Sequence, residues 1–154
     1  MDIENPKIPP DSIDSEQSVL GGLLLHNDSW DNVVNIISSD DFYQASHRII
    51  YDAIVILLEH DKPADILTVK EQVIKTHDEE SIGGFAYLAQ IAENTPSVSN
   101  IDAYAKHVRE LSIFRQLIKI GRELADTAFH PKDIEVNNLL DLSERKIFEI
   151  AEQV

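Results

Sequence analysis

The sequence has no cysteine, which removes disulfides, thiolate nucleophiles and cysteine-based zinc sites in one step. It is also poor in positive charge: 13 Lys and Arg stand against 28 Asp and Glu, a formal net charge of −15. The imbalance is uneven. Residues 1–99 carry 5 basic and 18 acidic groups, a net of −13, while residues 100–154 carry 8 and 10, a net of −2. Affinity for nucleic acid comes mainly from cations that displace counterions from phosphate, so weak DNA binding or none is expected. The acidic body reads either as a solubilising surface or as a face awaiting a basic partner. Aromatic residues are 6% of the chain, and no track interleaves them with basic residues as a single-strand groove does. No apolar run approaches a membrane span, and the start Met1-Asp2-Ile3-Glu4-Asn5 has neither a basic nor an apolar signal region. A cytoplasmic chain without membrane contact is the expectation.

Catalytic signatures are missing as well. A nucleotide-hydrolysing domain needs G-x-x-x-x-G-K-[ST], whose amides and Lys hold phosphates, and nothing like it occurs. Gly21-Gly22 lies between Leu20 and Leu23 in an apolar helical pattern, where close helix packing is the simplest role. Gly83-Gly84 has no following Lys and reads as a helix break. The six histidines form no i, i+4 pair and no H-E-x-x-H, so no metal site is expected. No nucleophile has a base beside it, and the chain is expected not to be an enzyme. Asp40-Asp41 reads as capping ahead of Phe42-Tyr43, and Asp78-Glu79-Glu80 as a solvated turn.

What the sequence does have is helical periodicity almost throughout, which predicts an all-α fold. Val19, Leu20, Leu23 and Leu24 mark a first helix, and Trp30, Val33, Val34 and Ile37 a short second one. Ile49, Ile50, Ala53, Ile54, Leu57 and Leu58 form a broad stripe ended by His60-Asp61-Lys62-Pro63. Thr68-Val69-Lys70-Glu71 reads as a capping box opening a fourth helix. Tyr87, Leu88 and Ile91 continue in a helix closed by Pro96; Tyr87 suits either core or interface, because its hydroxyl needs a partner or water. From Asn100, a candidate cap, one helix is predicted to run to about Phe129, near 30 residues and roughly 45 Å at about 1.5 Å per residue. His130-Pro131-Lys132-Asp133 turns the chain, with Asp133 as the expected cap of a returning helix. That helix carries Val136, Leu140, Ser143, Ile147, Ile150 and Val154 at steps of three and four, a coiled-coil-like seam, with Leu139, Leu142 and Ala151 beside it. The long helix has two stripes: Tyr104, Val108, Leu111 and Ile118 on one, Phe114, Leu117, Ile120 and Leu124 on the other. One returning helix cannot cover both. The predicted layout is a loose tail at 1–9, a globular helical head at 10–97 and a protruding antiparallel hairpin at 100–154, with self-association through Tyr104, Val108, Leu111, Val136, Leu140, Ile147 and Ile150.

Four ordered pieces add a resemblance. They are Pro9-Pro10-Asp11-Ser12-Ile13-Asp14-Ser15-Glu16-Gln17-Ser18-Val19-Leu20-Gly21-Gly22; Asp41-Phe42-Tyr43; His47-Arg48-Ile49-Ile50-Tyr51; and Gly83-Gly84-Phe85-Ala86-Tyr87-Leu88 running into Asn94-Thr95-Pro96-Ser97. In that order the chain, from Ile8 to about Glu152, resembles the N-terminal domain of the bacterial replicative DNA helicase of the DnaB type. The resemblance implies a collar in which hairpins pair between subunits and the dimers form a trimer of dimers, a hexameric ring. It implies docking of the primase C-terminal domain, with a helicase loader as a further partner. Unwinding, with ATP and magnesium, would belong to a RecA-like motor domain absent from this chain. Primase docking is implied for Asp14, Glu16 and Tyr87 on the head and for Arg115, Ile118 and Leu124 on the hairpin, Leu124 standing where an Ile is often found. A helicase-binding C-terminal domain of a primase, or a generic helical interaction module, is the competing reading; the P-P-x-S-I-x-x-E-Q-x-V-L-G-G opening favours the helicase.

Overall fold

The structure, a computed structural model, describes residues 7–154. Of the expected loose tail, residues 1–6 lie outside the described residues. Among the described residues the fold is all-α: α1 (Ile13–Leu25), α2 (Trp30–Val33), α3 (Ala45–Glu59), α4 (Ile66–Val73), α5 (Phe85–Glu93), α6 (Ile101–Ala128) and α7 (Val136–Ala151), joined by short 3₁₀ turns. Two compact units emerge, Asp11–Leu111 and a second one made of Ser112–Val154 with residues 7–10.

The first unit is built around α1. Ser12 stands in an extended conformation ahead of the helix and its hydroxyl accepts the Ser15 N–H at 3.2 Å, satisfying one of the free first-turn amides. Glu16 and every residue from Val19 to Leu24 are buried, so α1 is enclosed on nearly all sides. Its glycines make this possible. A Cβ on Gly21 would fall 2.7 Å from the Ile91 carbonyl oxygen of α5, and one on Gly22 would fall 2.8 Å from Ile101 Cδ1 of α6. In α3 the expected stripe is present, with Ile50, Ala53, Ile54 and Leu57 buried. Asp61 then takes φ 57°, reversing the chain in a region that Asp tolerates.

Three expectations are corrected here. α4 begins at Ile66, capped by Asp65 and not by Thr68: Thr68 N–H donates to Asp65 Oδ1 at 2.9 Å and Asp65 N–H donates to Thr68 Oγ1 at 2.8 Å. α7 begins at Val136 behind an extended Glu135, leaving Asp133 in the turn. Val108 is 2% exposed and belongs, with Ile101 and Ala105, to the core shared with α1, α3 and α5. It is therefore closed to self-association, while Tyr104 packs partly buried against the same core and Leu111 is half-buried. Gly83 and Gly84, at φ 80° and 89°, break the chain before α5 as the sequence suggested.

In the second unit α7 returns along α6. Gln116 Nε2 donates to Gln153 Oε1 at 3.1 Å and Lys146 Nζ donates to Glu123 Oε2 at 2.9 Å. The two pairs step in opposite directions along the two helices, as antiparallel neighbours must. The expected seam splits. Ile150 is buried and Ser143 half-buried, but Val136, Leu140 and Ile147 are 70%, 55% and 50% exposed, and Leu139 and Leu142 are the half-buried leucines. α7 carries two apolar stripes about 100° apart, and a single neighbouring helix covers only one. Residues 7–9 lie beside α6 in the same unit: Lys7, Ile8 and Pro9 line a groove with Ile118, Gly121, Arg122 and Ala125, and Arg115 Nη1 donates to the Pro10 carbonyl at 2.8 Å.

Candidate docking surfaces

The first unit holds a buried polar relay. Glu16 is 1% exposed and faces away from solvent. Its Oε2 accepts the Tyr43 N–H at 2.9 Å, and its Oε1 accepts the Gln44 N–H at 3.3 Å and lies 2.7 Å from His47 Nδ1. The carboxylate thus sits where the amides ahead of α3 are free, a position favouring negative charge. His47, fully buried, turns its Nε2 to Tyr87 Oη at 2.6 Å, and Gln17 Nε2 donates to the same oxygen at 2.9 Å. The His47 and Tyr87 rings stack with centroids 5.8 Å apart and 3° between planes. Because an ionised carboxylate only accepts, His47 Nδ1 carries a proton toward Glu16.

A second buried acid, Asp41, does more than cap. Its Oδ2 accepts the Ser38 N–H at 2.8 Å, and its two oxygens receive Arg109 Nη1 at 2.8 and 3.1 Å. Nearby, burial pushes the Tyr51 hydroxyl up to about 12, with the charges of Asp41 and Asp52 adding to the effect. The acids Asp78, Glu79 and Glu80 are exposed, in keeping with a solvated turn.

The proposed docking residues are therefore placed unequally. Asp14 is exposed and Tyr87 half-buried, whereas Glu16 is an interior group, a correction to its reading as a surface acid. Residues two apart on a helix point to different sides, so Asp14 and Glu16 cannot form one acidic face. Glu16 and Tyr87 are brought together, but through His47 and by their inner ends. In the second unit Arg115 and Ile118 share a side of α6, both half-buried, while Leu124 lies roughly 240° round the helix from Ile118 at about 100° per residue. His47 and Gln17 were missed as functional residues. The signal for His47 was its spacing: with Ile50, Tyr51 and Ile54 it falls on the buried stripe of α3.

The second unit exposes apolar side chains on both helices. Phe114 and Leu117 of α6 are 57% and 41% exposed, and Phe148 of α7 is 63% exposed beside Val136, Leu140 and Ile147. Large exposed apolar side chains thus occur on both helices of this unit. The space beside Gly21 is filled by Thr95 and the Ile91 carbonyl and that beside Gly22 by Ile101, the close helix packing expected of this pair. Among the described residues no cluster of metal-ligating side chains occurs, and no helix is long and apolar enough to cross a membrane.

Comparison with known proteins agrees with this all-α fold. Residues 8–110 match the family described as DnaB-like helicase N terminal domain. The replicative DNA helicase DnaB of Pasteurella multocida is 43% identical over 151 residues, covering 98% of this chain and 32% of the helicase; the chain thus spans about a third of that relative. In structure it is similar to the N-terminal domain of DnaB helicase from Mycobacterium tuberculosis, with a TM-score of 0.86, 30% identity and coverage of 92% of this chain and 99% of that one. It is also similar to the N-terminal domain of DnaB helicase from Helicobacter pylori, described together with its interactions with primase, at a TM-score of 0.65, 26% identity and coverage of 76% and 91%.

Proposed function

The chain belongs to the family of DnaB-like helicase N-terminal domains, and from that premise we propose that it is the collar of a replicative helicase, assembling subunits into a ring and recruiting primase at the fork. The observation that carries this reading is the uncovered apolar surface on both helices of the second unit. Two hairpins pairing through it would remove that surface from water, and three such dimers would close a ring of six. The acidic first unit supports the recruiting role. Its charge repels DNA and suits a basic helical partner, the C-terminal domain of primase, approaching Asp14 and the outer face of Tyr87 on one subunit and Arg115, Ile118 and Leu124 on a neighbour. A helicase loader would compete for the same collar. ATP and magnesium would act in a motor domain following this one, in the cytoplasm, and the collar itself would turn over no nucleotide.

Calorimetric titration of this chain with a primase C-terminal domain tests the docking role. Tyr87→Ala is expected to weaken binding by about 1–3 kcal/mol if the ring is an interface anchor. Asp14→Lys is expected to act mainly on the association rate and its salt dependence. Unchanged affinity in both Tyr87→Ala and Ile118→Ala, with helicity intact by circular dichroism, would remove the docking site.

A further inference from the structure

We propose that His47 is a positioning residue for docking: it transmits the state of Glu16 to Tyr87, so that Glu16 governs partner binding without touching the partner. The inference rests on the docking role proposed above and assigns a new residue to it. Its basis is the direction in which each group of the relay must donate. Glu16 receives the Tyr43 and Gln44 amides and the His47 Nδ1–H. With Nδ1 protonated, the neutral imidazole presents Nε2 as an acceptor. Tyr87 Oη already accepts from Gln17 Nε2, so its own proton is free to satisfy Nε2 across the 2.6 Å contact. The chain of donors then runs one way, from Gln17 through Tyr87 and His47 to Glu16, with every proton placed.

Two consequences follow for the surface. The Tyr87 hydroxyl is committed inward, so what the residue offers a partner is the half-buried ring and at most one remaining acceptor lone pair. The ring is also fixed in orientation: it stacks on His47 at 3° between planes, and its far end is tied to α1 through Gln17 and to α3 through His47. Disturbing Glu16 frees His47 to turn, and a turned His47 withdraws both the stacking partner and the acceptor that hold Tyr87. Glu16 acts from the interior, where at 1% exposure a partner cannot touch it.

The test is a double-mutant cycle on affinity for a primase C-terminal domain, using Glu16→Gln and Tyr87→Phe in this chain. Tyr87→Phe keeps the ring and removes the inward hydroxyl. Each single change is expected to lower affinity about tenfold, the scale of leaving one buried group unsatisfied, and the double variant is expected to lose no more than the larger single one. A second arm separates positioning from packing. His47→Gln keeps one donor and one acceptor and is expected to retain more affinity than His47→Leu, which keeps volume but neither; a relay that acts only by packing gives the opposite order. Imidazole ¹⁵N shifts supply a signature of the relay itself, expected to show neutral His47 protonated on Nδ1. Losses that multiply in the double variant, with folding intact by circular dichroism, overturn the positioning role while leaving docking in place. Failure of the unaltered chain to bind overturns docking, and the positioning role with it.

Discussion

Ile147→Asp separates a pairing surface from a core. In this chain Ile147 is 50% exposed, so the substitution meets a half-open site and the carboxylate keeps access to water. The stability of the isolated fold is therefore expected to fall by about 1 kcal/mol, half the value of a fully buried aliphatic side chain. A hairpin-to-hairpin interface raises the cost. Covering the exposed half of Ile147 contributes roughly 1 kcal/mol per copy, and enclosing a carboxylate without a partner costs on the order of 3 kcal/mol more. A twofold interface presents the residue from both copies, so association is expected to weaken by well over about 100-fold, which needs only ~2.7 kcal/mol. Light scattering or sedimentation across a concentration series reads the association, and thermal melting by circular dichroism reads the fold. A wild-type chain that stays monomeric at hundreds of micromolar refutes the pairing surface. So does a variant that associates as well as wild type, while a variant that unfolds places Ile147 in a core the structure does not give it.

Two further predictions concern stability. Gly21→Ala is expected to destabilise the first unit by about 1–3 kcal/mol in denaturant titration, because overpacking against Thr95 and the Ile91 carbonyl outweighs the ~1 kcal/mol of helix propensity gained; Gly121→Ala, whose Cβ meets nothing within 4 Å, is expected to stabilise instead, and equal effects would refute the contrast. The hydrogen bond and charge of Lys146 hold the Glu123 carboxyl below its ordinary value, so this pair contributes stability above the ordinary carboxylate range and loses it as pH falls through the lowered value; melting curves of wild type and Lys146→Met are expected to differ at neutral pH and to converge once the pH lies below that lowered value, and a gap that persists in stronger acid would exclude the pair as its source.

The parts of the fold legible in the sequence were those with one answer. α3 carries a single broad stripe, and Ile50, Ala53, Ile54 and Leu57 of the spacing are buried in it, joined by His47 and Tyr51 on its edge. At α4 the sequence points to Thr68 with Glu71, whereas the structure closes the box one turn earlier, between Asp65 and Thr68. α7 offered two stripes, and periodicity gives the face of a helix but not the neighbour that covers it. Glu16 is the instructive case. With Val19, Leu20 and Leu23 it sits at helical spacing on one face, so its burial was signalled, but its charge argued for the surface until the amides of Tyr43 and Gln44 and the ring of His47 were in place. Partners 27 to 31 residues away are invisible to a local reading. The hairpin's unequal exposure was foreseeable in kind, since two stripes exceed one covering helix, but not in which side chains it leaves outside.

The close approach at Gly21 and Gly22 also sets an order of events in synthesis. α1 leaves the ribosome early, yet the surfaces that fill its glycine notches are Ile91 and Ile101, and Gln17 waits 70 residues for Tyr87. At about 5–20 residues per second that is a delay of seconds, during which an apolar helix with no room for anything but its own late partners stands uncovered. In the second unit the α6–α7 pair closes over a shorter span, Lys146 meeting Glu123 across 23 residues, although Arg115 reaches back across 105 residues to Pro10. The α6–α7 pair is thus expected to fold faster once made, and a nascent chain stalled before Ile101 is the species most exposed to chaperones and to misassembly.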